Sequence, residues 1–361
     1  MIRKSFFASL TLLAVSMFFT CCGVKNEKSG FKKPAFPVKE TAEFTVITDE
    51  LIGINAVSDL LCGDNWICVY AYDAENQCNM HLFDKSGKKL FSVLRTGRGP
   101  NEVLFPLTTS FDIESATLDI FDATASKNIT VHIDSLLASD GKSGISSINE
   151  LDSYPEKLKI WPGHRLEGRA MKKEGHKRLT LLNDFGDTLS TCDSFPEIEN
   201  KDLLPRLYSW LSWFELSPDH TRLATASCGG EILETFSLSE KISNISTGYF
   251  IEPDVNLEEG SFPYAFNERT VFGFSDLFVD NSLIYTAHDG KTLAKSKDID
   301  KRSLFSRIAI YDWNCNPVKE IQTDYRIERI CVESDSDKMF AVVKDNDSKT
   351  YLAYVYLNLS K

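Results

Sequence analysis

The chain has 361 residues, with 40 lysines and arginines against 52 aspartates and glutamates, so its formal charge is −12. A protein that binds nucleic acid needs a basic surface to displace the counterions of the phosphates, and this composition therefore argues against nucleic acid as a partner. Hydrophobic residues make up 42% and charged residues 25%, which is typical of folded globular chains and excludes long disorder and a polytopic membrane protein.

The N-terminus has the organisation of a secretory signal. Arg3 and Lys4 precede an apolar run over residues 5–19, and small residues follow it. This run is shorter than the roughly 20 residues that cross a bilayer, which disfavours the alternative of a short N-terminal membrane anchor. We therefore expect an exported protein.

The end of the apolar run resembles the lipobox of bacterial lipoproteins, in which the cysteine at the cleavage point is acylated. The residues in question are Cys21 and Cys22. The resemblance implies a lipoprotein signal peptide over residues 1–21 and lipidation of Cys22, with Cys21 as the alternative. Two or three acyl chains on one residue give stable anchoring without a transmembrane helix.

Residues 22–41 are predicted to form a flexible tether, because they are polar, rich in lysine and proline, and without periodicity. Cleavage removes two cations and leaves 38 − 52 = −14. Direct adsorption to anionic lipid is therefore not expected, and the lipid anchor is the predicted membrane contact. Residues 23–28 lack the acidic cluster that resembles a surface-export signal, which favours the periplasmic face of the outer membrane over the cell surface.

Metal, cofactor and catalytic motifs are missing from the sequence. The seven cysteines after the signal are an odd number with no Cys-x-x-Cys pair, and no two histidines have metal-ligand spacing. The acidic loops around Asp335 and Asp345 lack the glycine and distal glutamate of an EF-type calcium loop. No Gly-x-Ser-x-Gly nucleophile motif occurs. We therefore predict no metal site, no cofactor and no local catalytic motif.

The body of the chain, residues 42–361, repeats a β-rich unit. Short apolar runs alternate with turns of Asp, Asn, Gly and Ser, and one strand of each unit tends to end in an aromatic residue followed by Asp. Six copies follow one another about 55 residues apart, which suits four-stranded blades. The copies lie at residues 82–84, 118–122, 179–187, 234–237, 308–312 and 353–356. A row of β-sandwiches is the alternative, and the absence of linkers disfavours it.

One segment resembles a known family. Gly97-Arg98-Gly99-Pro100-Asn101-Glu102-Val103 is similar to the Gly-x-Gly-Pro-Gly-Glu-Phe segment of TolB-like six-bladed β-propeller lipoproteins of Bacteroides and relatives. Asn101 replaces the usual glycine and Val103 the aromatic residue. The resemblance implies an all-β fold, a six-bladed β-propeller of four-stranded antiparallel blades, on a lipid anchor. It implies no common activity and lends no catalytic residues.

The candidate ligand-binding residues lie in loops and at the starts of the predicted innermost strands, where a propeller usually has its pocket. Aromatic rings stack on sugars or apolar ligand faces, and arginine pairs with carboxylate or phosphate. The alternatives are a turn for the glycine-rich loop and packing between blades for the aromatic residues. The candidates are Arg95, Arg98, Glu102, Trp161, His164, Tyr208, Trp210, Trp213, Arg326 and Arg329.

The leading functional hypothesis is a binding or protein-interaction module in the cell envelope, with a glycan, a peptide or an envelope protein as its partner. A glycan hydrolase or lyase with carboxylates placed across the channel is the alternative, because residues from distant blades leave no local motif. A structural envelope subunit is the third hypothesis, which a closed channel and a broad apolar rim would favour.

Overall fold

In the part of the chain that the structure describes, twenty-five short strands form six sheets, each built mostly from strands that are consecutive in the chain. The computed structural model describes residues 30–51, 57–104, 106–112, 114–122, 124–125, 127–149, 157–168, 177–196, 211–239, 241–253, 271–288, 290–292, 306–333 and 337–359. Within each sheet the consecutive strands pair antiparallel, as short turns between them require. The predicted all-β architecture of six four-stranded blades is confirmed.

The strands fall into blades in chain order. Blade 1 contains β3 (Val57–Cys62), β4 (Trp66–Asp73), β5 (Cys78–Asp84) and β6 (Lys89–Arg95). Blade 2 contains β7 (Pro106–Asp112), β8 (Thr117–Asp122), β9 (Lys127–His132) and β10 (Ile145–Asn149). Blade 3 contains β11 (Lys157–Trp161), β12 (His164–Gly168), β13 (Leu179–Asn183) and β14 (Thr188–Cys192).

Blades 4 and 5 follow the same pattern, whereas blade 6 borrows a strand. Blade 4 contains β15 (Ser212–Leu216), β16 (Arg222–Ser227), β17 (Glu231–Ser237) and β18 (Ser243–Ile251). Blade 5 contains β19 (Phe274–Val279), β20 (Leu283–His288), β21 (Arg307–Asp312) and β22 (Pro317–Gln322). Blade 6 contains β23 (Arg326–Glu333), β24 (Lys338–Lys344), β25 (Thr350–Tyr356) and, at its edge, β2 (Thr45–Thr48).

The recurring Asp or Asn residue closes a hairpin turn. Asp84 Oδ1 accepts hydrogen bonds from the amides of Ser86 and Lys88, and Asp312 Oδ1 does the same for Asn314 and Asn316. A short side-chain oxygen can bond to backbone amides two and four residues on, which is why the repeat shows Asp at this place. Five of the six predicted copies are third strands of their blades, whereas residues 118–122 form the second strand of blade 2.

The apolar residues of the strands pack between neighbouring blades rather than in one central core. Separate clusters of buried side chains join blades 1 and 2, 3 and 4, 4 and 5, 5 and 6, and 6 and 1. Blades 2 and 3 meet where the Ser110 hydroxyl accepts the Ile160 amide at 2.7 Å. Each blade therefore buries its two faces against its two neighbours, and this closes the ring.

The first strand of each blade lies nearest the axis of the ring. Contacts run from β7 to β11, and then through β15, β19 and β23 to β3. The fourth strands lie at the outer edges of their sheets, except β22 of blade 5, which is flanked by one further strand from the N-terminal part of the chain. Side chains of the first strands are therefore the ones that meet along the central channel.

The ring is closed by the N-terminal part of the propeller. Strand β2 pairs antiparallel with β25, so the first and last strands of the ring share blade 6. Upstream, β1 (Val38–Thr41) pairs parallel with β22 of blade 5, and Phe36 is buried against Tyr311. Contacts with the propeller therefore begin within residues 22–41, the segment that the sequence predicts as a tether.

The described part of the chain has one helix, α1 (Ile133–Ala138), which connects β9 to β10. Ile133 and Leu136 of this helix are buried in the cluster between blades 1 and 2. No helix in the described ranges is long and apolar enough to cross a membrane.

Candidate functional site

A cavity of about 560 Å³ lies at one end of the central channel. Its wall comes from the final residues of the first strands and from the turns that follow them, and every blade contributes. One lining residue from each of blades 1 to 6 in turn is Asp59, Phe111, Lys159, Glu215, Asp276 and Ile330. The sequence predicted a pocket at the starts of the innermost strands, whereas the structure has this cavity at their ends.

Four charged side chains from different blades form the floor of the cavity, and we call them the carboxylate layer: Asp59, Lys159, Glu215 and Asp276. The Lys159 ammonium lies 2.7 Å from Glu215 Oε1, and Lys159 is 8% exposed. About a third of the Glu215 side chain, 34%, is still exposed, and this residue lines the cavity. Asp59 Oδ1 accepts the amide of Leu60 at 2.8 Å.

Asp276 is the most buried carboxylate of this layer, with 7% exposure. Burial raises its pKa to about 7, and the charges of Asp59 and Glu215 act in the same direction. Arg329 and the Ile330 amide, which donates to Asp276 Oδ2 at 2.7 Å, oppose that rise. The pKa of Glu215 is also raised by burial, and its ion pair with Lys159 limits the rise.

Below the carboxylate layer, towards the starts of the first strands, two cationic side chains lie over one aromatic ring and form what we call the Trp213 cluster: Lys157, Trp213 and Arg329. The Lys157 ammonium lies 4.8 Å and the Arg329 guanidinium 4.7 Å from the centre of the Trp213 ring. Arg329 Nε donates to the Ser58 carbonyl at 2.9 Å, and Trp213 Nε1 donates to the Phe274 carbonyl at 3.0 Å. Burial lowers the pKa of Lys157.

The ligand-binding candidates predicted from the sequence are divided between the central channel and the rims of the propeller. Trp213 and Arg329 are brought together in the Trp213 cluster, where both side chains serve packing and hydrogen bonding. Arg326 instead forms an ion pair with Glu328 at 2.9 Å. Tyr208, Trp210 and the lipidation residue Cys22 lie outside the described residues.

A second predicted pair lies at the turn rim beside the cavity. The rings of Trp161 and His164 stack with their centres 5.4 Å apart, and His220 of blade 4 stacks on Trp161 at 5.6 Å. His220 lines the cavity, and its Nε2 lies 3.4 Å from Asp112 Oδ1 of blade 2. Trp161 and His164 therefore support one side of the cavity mouth.

The glycine-rich loop between β6 and β7 has a local structural role. The Gly99 amide donates to Glu102 Oε2 at 2.7 Å, and the Glu102 amide donates back to the Gly99 carbonyl at 3.1 Å. Lys127 Nζ also donates to the Gly99 carbonyl. Arg95 and Arg98 are exposed, and none of these three predicted residues lines the cavity.

Sequence reasoning missed all four residues of the carboxylate layer. Each is a charged residue followed by an apolar residue within a strand, as in Leu158-Lys159-Ile160 and Phe214-Glu215-Leu216. Charged side chains are seldom buried unless they are paired or functional, so this pattern was the available signal. It does not show which of the strands meet on the axis.

Within the described ranges, no three His, Cys, Asp or Glu side chains are grouped closely enough to hold a metal ion. The seven described cysteines are free thiols, and five of them are buried.

A closed ring of six antiparallel sheets with a cavity on its axis defines the class of six-bladed β-propellers. Residues 61–335 match the family described as TolB-like 6-blade propeller-like, so the chain belongs to the TolB-like six-bladed propeller family. A search of curated proteins found no match.

Solved structures from Bacteroides share the fold. One is a protein of Bacteroides fragilis NCTC 9343 that is proposed to be exported, with a TM-score of 0.54 and 11% identity over 88% of this chain and 98% of that one. Another is a member of the DUF4221 family from Bacteroides vulgatus ATCC 8482, with a TM-score of 0.54 and 10% identity over 88% of this chain and 96% of that one. At these identities the likeness concerns the fold alone.

Proposed function

We propose that the chain is a lipid-anchored binding protein of the cell envelope, which takes its ligand into the central cavity. The cavity carries this proposal, because its volume of about 560 Å³ lies within the usual range of ligand sites. Its wall needs all six blades, so the site exists only in the closed ring. The ligand classes are a glycan, a peptide or a segment of an envelope protein.

Export and anchoring are supported by the N-terminal sequence and, as an analogy, by the Bacteroides fragilis protein proposed to be exported. The proposed site of acylation is Cys22, with Cys21 as the alternative, on an outer-membrane lipoprotein facing the periplasm. Mass spectrometry of the N-terminal peptide from cells tests this step. Acyl mass on Cys22 and its loss in Cys22→Ser are expected, whereas an unmodified N-terminus would refute the anchor.

The ligand experiment uses glycan and peptide arrays with the full chain and two matched variants. Asn65 and Asn281 are both exposed residues in the turn after a first strand, but only Asn65 lines the cavity. We expect Asn65→Trp to weaken binding of array hits at least tenfold and Asn281→Trp to leave it within twofold. Hits that survive Asn65→Trp would place binding elsewhere, and no hits would favour the structural-subunit hypothesis.

A glycan hydrolase or lyase is the second candidate. The pKa of Asp276, about 7, keeps much of this carboxyl protonated at neutral pH beside Glu215 and Asp59. A protonated acid near an ionised carboxylate is the combination used in glycoside cleavage. Product release from an array glycan that stops in Asp276→Asn would favour this reaction, and its absence across the array would leave binding as the function.

A further inference from the structure

The cavity is strongly acidic. Among the described residues that line it, Lys159 and His220 are the basic ones. Eight acidic residues line the same space: Asp59, Asp64, Glu114, Asp134, Glu215, Asp276, Asp280 and Glu333. Acidic residues therefore outnumber basic ones far more strongly in this cavity than in the chain as a whole, which has 52 acidic and 40 basic residues. A low-dielectric concave wall of one sign concentrates ligands of the opposite charge.

Part of this negative charge is already compensated within the protein. Glu215 pairs with Lys159, and Glu333 pairs with Lys85 at 2.7 Å. Asp280 accepts the amides of Ser282 and Leu283 and the Tyr285 hydroxyl. Glu333 and Asp280 therefore have structural partners, and they are not the groups that await a ligand. Glu215 pairs with Lys159 through Oε1, but about a third of its side chain is exposed, so it can still contact a ligand in the cavity.

Asp276 differs from them. Among the described residues, only the Ile330 amide donates a hydrogen bond to Asp276, and it does so to Oδ2. The nearby Arg329 uses Nε on the Ser58 carbonyl and Nη1 on the Glu328 carbonyl, and it forms no ion pair with Asp276 in the described structure. A carboxylate that is more than nine-tenths buried thus keeps Oδ1 as an open acceptor on the cavity wall.

The wall also contains apolar and aromatic side chains. Trp66 and Phe111 meet edge to face with their centres 5.7 Å apart, and Leu216, Phe278 and Val332 also line the cavity. Such a wall accepts an alkyl stem, and aromatic rings also attract cations. Beyond the floor, the exposed Asp64 and Asp134 extend the acidic surface to the turn rim.

We propose that the cavity binds the basic side chain of a peptide, whose ammonium or guanidinium group donates to Asp276 Oδ1 and to Glu215 while its stem packs on the aromatic wall. This inference rests on the proposed function and names the ligand class of the same cavity. The volume suits one or two side chains, so flanking basic residues would meet the acidic rim.

The test compares short capped peptides that differ at one central residue, binding to the full chain by fluorescence anisotropy. The central residues are lysine, arginine, norleucine and glutamate, and n-butylamine and spermidine serve as small-amine probes. We expect the lysine or arginine peptide to bind at least tenfold more tightly than the norleucine peptide and the small amines. The glutamate peptide should not bind.

Matched variants identify the contact. Asp276→Asn keeps the shape of the side chain and the acceptor for the Ile330 amide but removes the charge. This variant should weaken binding of the basic peptide at least tenfold. If Asp276→Asn does not fold, Glu215→Gln is used instead, and it should weaken binding of the basic peptide several-fold. Asp184→Asn, in an exposed turn of blade 3 away from the cavity, should have no effect.

The outcomes separate the two proposals. If array glycans or acidic peptides bind in a way that Asn65→Trp abolishes while no basic probe binds, the binding function stands and the cationic ligand is refuted. Equal binding of lysine and norleucine peptides also refutes it, as does tighter binding of the small amines than of the peptides. If no ligand responds to Asn65→Trp, the cavity is not a binding site and both proposals fail.

Discussion

Asp276 is a carboxylate that the fold buries at a cost. Its single described hydrogen bond and the charge of Arg329 do not compensate the desolvation, so its pKa is raised to about 7. The folded protein therefore holds the Asp276 proton more tightly than the unfolded chain does. Groups that lower stability in this way are concentrated at functional sites.

We expect Asp276→Asn to be more stable than the parent protein at high pH. Because the pKa of Asp276 is raised on folding, its contribution to stability is present below about pH 4 and is lost as the pH rises to about 7. Urea unfolding at pH 8 should show a gain on the order of 2 kcal/mol for Asp276→Asn, and the gain should vanish near pH 4. Asp184→Asn is the exposed control; a gain that does not change with pH would contradict the assignment.

At the scale of the element, the hairpin turns combine an Asp or Asn oxygen with a left-handed residue three positions later. Gly87, Gly186, Cys315 and Ser348 occupy that position with φ between +60° and +88°. Glycine has no Cβ penalty there. The two glycines differ in their surroundings, because a Cβ on Gly87 would lie 2.6 Å from the Ile47 carbonyl oxygen, whereas one on Gly186 would meet nothing within 4 Å.

These two glycines provide a matched pair of substitutions. Gly186→Ala should cost about 1 kcal/mol of unfolding free energy, the strain of the left-handed backbone alone. Gly87→Ala should cost about 2–3 kcal/mol, because its Cβ must also displace β2 from the blade 1 turn. Urea unfolding of both variants measures the difference, and equal costs would show that the approach of β2 to this turn is not tight.

At the scale of the whole molecule, the ring is held closed by a strand from the opposite end of the chain. Strand β2 pairs with β25, and Phe44 and Phe36 are buried beside it against blades 6 and 5. Without β2, the edge of β25 would expose unpaired amides and carbonyls, and the two aromatic rings would leave their clusters. Each such ring contributes about 2–3 kcal/mol by burial.

Two truncations test this closure. Removal of residues 1–29 should leave the melting temperature within about 2 °C, because residues 31–361 form a compact unit by themselves. Removal of residues 1–49 also deletes β1 and β2 and should lower the melting temperature by more than about 10 °C or cause aggregation. Differential scanning calorimetry measures both, and equal melting temperatures would mean that blade 6 is stable with three strands.

The sequence by itself determined the class of fold and the number of blades. Alternation of apolar and polar residues and the Asp-containing turns are local signals, and each hairpin forms from neighbours in the chain. The Gly97–Glu102 loop was recognisable for the same reason, since its hydrogen bonds stay within the segment and its role as a turn follows from them. Trp161 and His164 are also close in the chain, and they stack on each other across the turn between β11 and β12.

Only the tertiary structure decided where the cavity lies and which charges line it. Asp59, Lys159, Glu215 and Asp276 come from four blades and are all more than 50 residues apart in the chain, and closure of the ring brings them onto the wall of one cavity. Ring closure also brought Trp213 and Arg329 into contact below the cavity, and it placed β1 and β2 on blades 5 and 6. The physical reason is that a propeller's axis is formed by contacts between blades, which no local pattern in the sequence encodes.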